Sequence, residues 1–201
     1  GDMTSTIPAD ATYTTRQKEI YDIVIASHEA SIKELRPGVT FELVYDTSAK
    51  VIVEGLKSLG FMRGDAAEAV KAGAHALFYP HGLGHMMGLD VHDMENLGEI
   101  YVGHNGQPKS TQFGRKSLRL GRMLEPGFVH TIEPGIYFIP ELIDLWRSER
   151  KFEEFINYEK VVTYKDFGGI RNEADYLITP TGSRLLGKQL PRTTEEIEAL
   201  R

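Results

Sequence analysis

The sequence predicts an α+β fold built as one globular domain. Two stretches with helical apolar spacing occupy residues 14–59, and glycine- and proline-punctuated stretches with strand character follow from about residue 76. No internal repeat links the two parts. Helices first and strands afterwards, with no βαβ alternation, argue for segregated layers rather than a wound parallel sheet. A length of 201 residues, 41% hydrophobic and 26% charged, gives one domain room for a real core.

The elements follow in order. In 14–36, Ile20, Ile23, Val24, Ser27, Ser31 and Leu35 recur at helical spacing; Thr14 or Thr15 caps the start and Pro37-Gly38 ends it. A second helix over about 40–59 uses Leu43, Val44, Val51, Ile52, Leu56 and Leu59 and stops at Gly60. DAAEAVKA (65–72) adds a short helical turn. Pro80 and the glycines after it exclude a regular helix through the next segment. GFVHTIEPGIYF (127–138) and GGIRNEADYLITPTG (168–182) read as strands ending in turns, with a helical insertion over 141–157 between them. At the end, Thr193 and Glu196 form the S/T-x-x-E box that opens a helix.

Bulk properties exclude several classes. A net charge of −6 leaves no basic footprint for nucleic acid. The chain has no cysteine, which removes disulfides and thiolate metal sites. No apolar run approaches a membrane span, so no membrane partner is expected. The opening GDMTSTIP lacks both an initiator Met and leader character; it reads as the middle of a motif, and the cytoplasm is the default location.

Three of the seven histidines, His81, His85 and His92, fall in HGLGHMMGLDVHD. On extended chain His81 and His85 point one way and His92 the other, so loops must bring the rings together if they meet at all. The glycines let backbone pass close to a ligand. Glu133, between Ile132 and Pro134, sits in sequence that favours burial, and a buried carboxylate needs a partner or a metal. The alternative is an edge strand that carries Glu133 to solvent, with His130 a surface neighbour. Alternation places Arg171, Glu173 and Asp175 on one strand face and Ile170, Asn172, Ala174 and Tyr176 on the other. That face is either a site or a solvated Arg–Glu surface worth under about 1 kcal/mol. Imidazole with hard oxygen donors suits Mn²⁺, Co²⁺ or Zn²⁺. On these residues alone, a metal site and a set of solvated polar side chains both stay open.

Taken together and in order, GDMTSTIP, HGLGHMMGLDVHD, HTIEPGIYF and GGIRNEADYLIT resemble the signature of the pita-bread metallopeptidases, within them the proline-specific branch of prolidases and aminopeptidases P. The resemblance implies a creatinase/aminopeptidase-like fold: a curved, mostly antiparallel sheet with helices on its outer face. Residues 1–201 would be a single catalytic domain lacking its N-terminal part and the domain before it.

It also implies two divalent ions, Mn²⁺ first and Co²⁺ or Zn²⁺ as alternatives, which activate a water. Asp2, His85, Glu133 and Glu173 match four of five ligands, with Asp2 and Glu173 bridging; the fifth, an aspartate, would lie upstream of Asp2. Glu133 would also move the proton. His92 matches a residue that hydrogen-bonds the scissile carbonyl or tetrahedral intermediate, and His81 one that lines the substrate pocket. Arg171 matches an arginine beside the last ligand. KSLRLGRMLEPG resembles the prolidase form of its region, where Arg119 would hold the free carboxylate of a dipeptide. Ser5 departs from the family, which often has Arg there.

The activity implied is hydrolysis of Xaa-Pro bonds, in dipeptides first, with Xaa-Pro aminopeptidase as the alternative. Substrates would be proline-containing di- or oligopeptides, and the full-length parent a homodimer. Without the upstream aspartate, these 201 residues alone are expected to be inactive or weak. A non-catalytic peptide-binding module of the same fold is the rival from another class. Creatinase-like hydrolases are disfavoured by the presence of His85, Glu133 and Glu173, and methionine aminopeptidases by the added segment 98–126.

Overall fold

The computed structural model describes residues 1–200. Helix α1 (Thr15–Glu34) starts where Thr14 accepts the Gln17 amide and Gln17 reaches back to the Thr14 amide, a complete capping box. Helix α2 (Phe41–Ser58) is capped by Thr40, and α3 (Ala66–Ala72) by Asp65. Along α2 the buried seam is Phe41, Val44, Tyr45, Ser48, Ala49, Ile52, Val53 and Leu56. Leu43, expected in that seam, is half exposed because it lies off the i, i+3, i+4 line through Val44 and Ser48. Helices α1 and α2 pack so closely that a Cβ at Gly55 would stand 2.6 Å from Ile23.

The short α4 (Glu99–Val102) follows the histidine stretch. The strand expected over 127–138 is divided into β2 (Val129–Ile132) and β3 (Gly135–Phe138), with Glu133-Pro134 between them. Proline has no N–H to give the ladder, so only the bond from Asn172 N to Pro134 O (3.3 Å) is kept there, and the strand direction continues. The insertion is shorter than expected: α5 (Pro140–Ser148) stops early. Positive φ at Arg150 and Phe152 turns the chain back, so that Phe152 packs edge-on against Trp146 at 5.5 Å. Helix α6 (Tyr158–Val161) leads to β4 (Gly168–Ile178), then β5 (Ser183–Leu185) and α7 (Thr194–Glu198) with its expected Thr193–Glu196 box.

Strand β4 is the spine. Strand β1 (Thr4–Ser5), β2, β3 and β5 all pair with it antiparallel. The helices cover one face: His28 of α1 bonds the Asn172 carbonyl and the Tyr176 hydroxyl at 3.4 and 3.1 Å. Ile170, Asn172, Ala174 and Tyr176 are buried on that side. Arg171, Glu173 and Asp175 therefore face the other way, into a cleft.

Candidate active site

Pairing registers assemble the cleft. Ile132 pairs with Ala174 and Gly135 with Arg171, one continuous register interrupted only at Glu133-Pro134. Continued through the gap, it sets Glu133 opposite Glu173. On the other edge of β4, Thr4 pairs with Glu173, and Asp2 lies beside Asp175, whose carboxylate accepts the Asp2 amide at 3.0 Å. Segment 83–87 runs antiparallel along the free side of β2. There Thr131 N donates to His85 O (3.1 Å), Glu133 N to Leu83 O (2.8 Å) and Met87 N to Val129 O (2.9 Å). Gly84 is required by that approach, since a Cβ there would stand 2.2 Å from the Thr131 carbonyl oxygen. Asp2, Asp175, Thr131 and His85 thus form one row across the sheet, and Thr4, Glu173 and Glu133 the next.

His85 is nearly buried, and its Nδ1 lies 3.1 Å from the Met86 carbonyl. A carbonyl only accepts, so Nδ1 carries a proton and Nε2 is the ring atom turned to the cleft. Nε2 faces Asp2 Oδ2 at 3.3 Å and Glu133 Oε1 at 3.8 Å. Electron-rich atoms at these distances attract only through a cation or proton between them. Donor atoms of His85, Glu133 and Glu173 lie within 4.8 Å of one another, as do those of Asp2, His85 and His92. Like charges opposed across a strand pair destabilise a sheet, so Glu133 and Glu173 oppose folding unless something cationic joins them. Burial and then Glu173 push the Glu133 carboxyl up to about 7, against the lowering pull of Arg171 and His85. Glu173 is also raised, by burial, although the Thr4 hydroxyl donates to it at 2.6 Å. These residues fit a hard divalent ion: one imidazole nitrogen prepared as a ligand, with carboxylates crowded around it.

All eight site residues expected from sequence line one cleft of about 360 Å³: Asp2, His81, His85, His92, Arg119, Glu133, Arg171 and Glu173. His81 donates from Nδ1 to its neighbour's carbonyl at 2.7 Å, which leaves Nε2 a buried acceptor without a partner. Burial, then Arg171, lowers its pKa to about 4, so it is neutral at pH 7. His92 stands at the rim with its ring edge-on to His85 at 4.4 Å. The turn after Gly88 folds it back, where extended chain would have pointed it away. Arg119 reaches the cleft beside Glu95 at 3.7 Å. Arg171 pairs with Glu133 at 3.2 Å rather than with its strand neighbour Glu173.

The alternative of a solvated edge is overturned for both Glu133 and His130: Glu133 is mostly buried, because segment 83–87 covers β2 there. His130 is wholly buried, with its ring 5.0 Å from Phe41, on the helix side of β2. Residues not singled out also shape the site. The Tyr137 hydroxyl accepts from Arg171 Nε at 2.8 Å and its ring stands edge-on to His81. Thr4 holds Glu173. The same alternation that links Asp2 to Thr4 and Glu133 to Tyr137 would have found both.

Residues 1–180 match metallopeptidase family M24. The chain belongs to that family. Human Xaa-Pro dipeptidase is 38% identical to this M24 chain over 198 residues, covering 98% of the chain and 39% of the relative. Escherichia coli Xaa-Pro aminopeptidase is 38% identical over 200 residues, covering the whole chain and 37% of the relative. Zinc-substituted E. coli aminopeptidase P in complex with product superposes with a TM-score of 0.74 at 38% identity, over all of this chain and 37% of that one. The fold is therefore the pita-bread α+β fold of these enzymes, and the chain spans about two-fifths of the curated relatives' length. Among the described residues no helix is long and apolar enough to cross a membrane.

Proposed function

We propose that residues 1–201 are the catalytic domain of a metal-dependent peptidase that hydrolyses Xaa-Pro bonds, dipeptides first. The observation that carries this is the convergence of Asp2, His85, Glu133 and Glu173 at the floor of a cleft walled by Arg119, Arg171, His81 and His92. Asp2, His85, Glu133 and Glu173 would hold divalent metal, and Mn²⁺ would best fit these oxygen-rich donors. When bound, such ions lower the pKa of water towards neutrality.

The chain's own groups do the rest. Glu133 lines the cleft beside His85 and Arg171, so its carboxylate takes the water's proton and delivers it to the departing proline nitrogen. A tertiary amide has no N–H, and this delivery is what its cleavage needs. His92 donates to the developing oxyanion at the rim. Neutral His81 and the Tyr137-braced Arg171 fix the substrate beside Glu133. Arg119 takes the free carboxylate of a dipeptide, which separates a dipeptidase from an aminopeptidase acting on longer chains. The homodimer and the cytoplasmic setting belong to the same proposal. The exposed apolar side chains of Leu89, Val91, Met94 and Leu97 support an interface near the rim.

The test is a chimera in which residues 1–201 replace the matching segment of E. coli Xaa-Pro aminopeptidase. Mn²⁺-dependent cleavage of Gly-Pro and Gly-Pro-Gly is then measured. The proposal expects activity that favours Gly-Pro. In that chimera R119A should raise KM for Gly-Pro by roughly 10–100-fold, the loss of a charged hydrogen bond, and leave Gly-Pro-amide unchanged. A folded chimera that binds Mn²⁺ and cleaves neither peptide would favour the peptide-binding module. Equal turnover of both peptides would favour an aminopeptidase.

A further inference from the structure

Asp175 is a buried carboxylate that the proposed chemistry does not use. It is 6% exposed and lies outside the ligand groups, yet sits in the site row between Asp2 and Thr131. One oxygen accepts the Asp2 amide at 3.0 Å, and the other is buried with no partner. The sheet explains why a side chain is needed here. Strand β1 pairs with β4 only at Asn172 and Glu173. Farther along the same edge, β5 pairs with Tyr176, and Leu186 N donates to the Asp175 carbonyl at 2.9 Å. The backbone acceptor that would continue the β1 ladder towards Asp2 is thus taken by β5. Without another acceptor the chain at Asp2 would leave the sheet.

We infer that Asp175 is a positioning residue: its carboxylate replaces the missing ladder bond, fixes the Asp2 backbone, and so aims the Asp2 side chain at His85. The inference rests on the proposed metal site, but the contact itself can be read without metal. A close approach supports it, because a Cβ on Gly1 would stand 3.1 Å from Asp175 Oδ2. Partners that orient a metal ligand typically govern 10–100-fold in metal affinity.

The experiment compares the wild-type chain with D175A and D175N. Mn²⁺ affinity is measured from the electron paramagnetic resonance signal of the free ion. Amide hydrogen exchange at Asp2 is measured by NMR on metal-free protein, and thermal melts check folding. D175A should bind Mn²⁺ at least roughly tenfold more weakly, and its Asp2 amide should lose protection. D175N keeps an acceptor oxygen without the charge, so it should retain both protection and affinity close to wild type. Wild-type affinity in folded D175A would overturn the inference, as would a loss in D175N as large as in D175A. Equal Asp2 exchange in all three proteins would also overturn it. Failure of the wild type to bind Mn²⁺ would instead sink the metal reading, and the exchange comparison would still decide the contact.

Discussion

Replacing Glu133 with Gln should stabilise the metal-free protein at neutral pH. Glu133 is raised from 4.5 to about 7, by burial first and then by Glu173. The sign follows from linkage. A carboxyl whose folded pKa lies above its unfolded one contributes no penalty below the unfolded value. Between the two values the unfolded chain releases its proton first, so stability falls as pH rises, and above about 7 the loss is complete. At 1.36 kcal/mol per pKa unit, the full loss is about 3 kcal/mol. Gln has nearly the same shape and no charge to desolvate. For a chain of this size the gain is a rise in Tm of roughly 6–12 °C at pH 7.5 in EDTA. The assay is differential scanning fluorimetry from pH 4 to pH 8.5, on wild type and E133Q. The two melts should converge near pH 4.5 and separate upward. Mn²⁺ should narrow the gap, because E133Q keeps Asp2, His85 and Glu173 but lacks the Glu133 carboxylate and so gains less from the ion than the wild type. An E133Q protein that melts at or below the wild type at pH 7.5 without metal would refute the crowded-carboxylate account.

Saturating Mn²⁺ at a hundred times its Kd should stabilise the wild type by about 2.7 kcal/mol, and H85A should show no metal-dependent rise in melting temperature. T4V removes the hydroxyl that donates to Glu173 at 2.6 Å, so Mn²⁺ affinity measured by calorimetry should fall by roughly tenfold. Buried His28, lowered to about 3 by desolvation and Arg192, stays neutral in the folded state while the unfolded chain protonates near 6.5. Its stabilising effect is present above pH 6.5 and lost as pH falls towards 3. Urea titrations near pH 5 should therefore show roughly one proton fewer taken up on unfolding in H28Q than in the wild type.

The helices were readable because their signals are local. Thr14 with Gln17 and Thr193 with Glu196 lie within one turn of each other, and their boxes close in the structure as a local rule requires. The strand over 127–138 was readable in place but not in its break. Pro134 removes a ladder donor, yet whether the partner strand keeps its register past the gap depends on β4, far along the chain. His130 was misplaced for the same reason. Alternation says that it opposes Thr131, but only the packing of Phe41 shows which face is inside. The insertion after Pro140 ended early because Phe152 turns back to reach Trp146, a contact with no helical period to announce it.

By itself the sequence determined which side chains could be donors, where the helices begin, and that helices and strands form separate layers. Those follow from residue chemistry and from periods of 3.6 and 2, which a single segment carries within itself. The family resemblance already implied that Asp2, His85, Glu133 and Glu173 act together; the tertiary structure decided how they share a floor, and that Asp175 and Thr4 support two of them. Register between strands is set by pairing across long separations and by burial of one sheet face, and a slip of one residue would turn every donor away from the cleft.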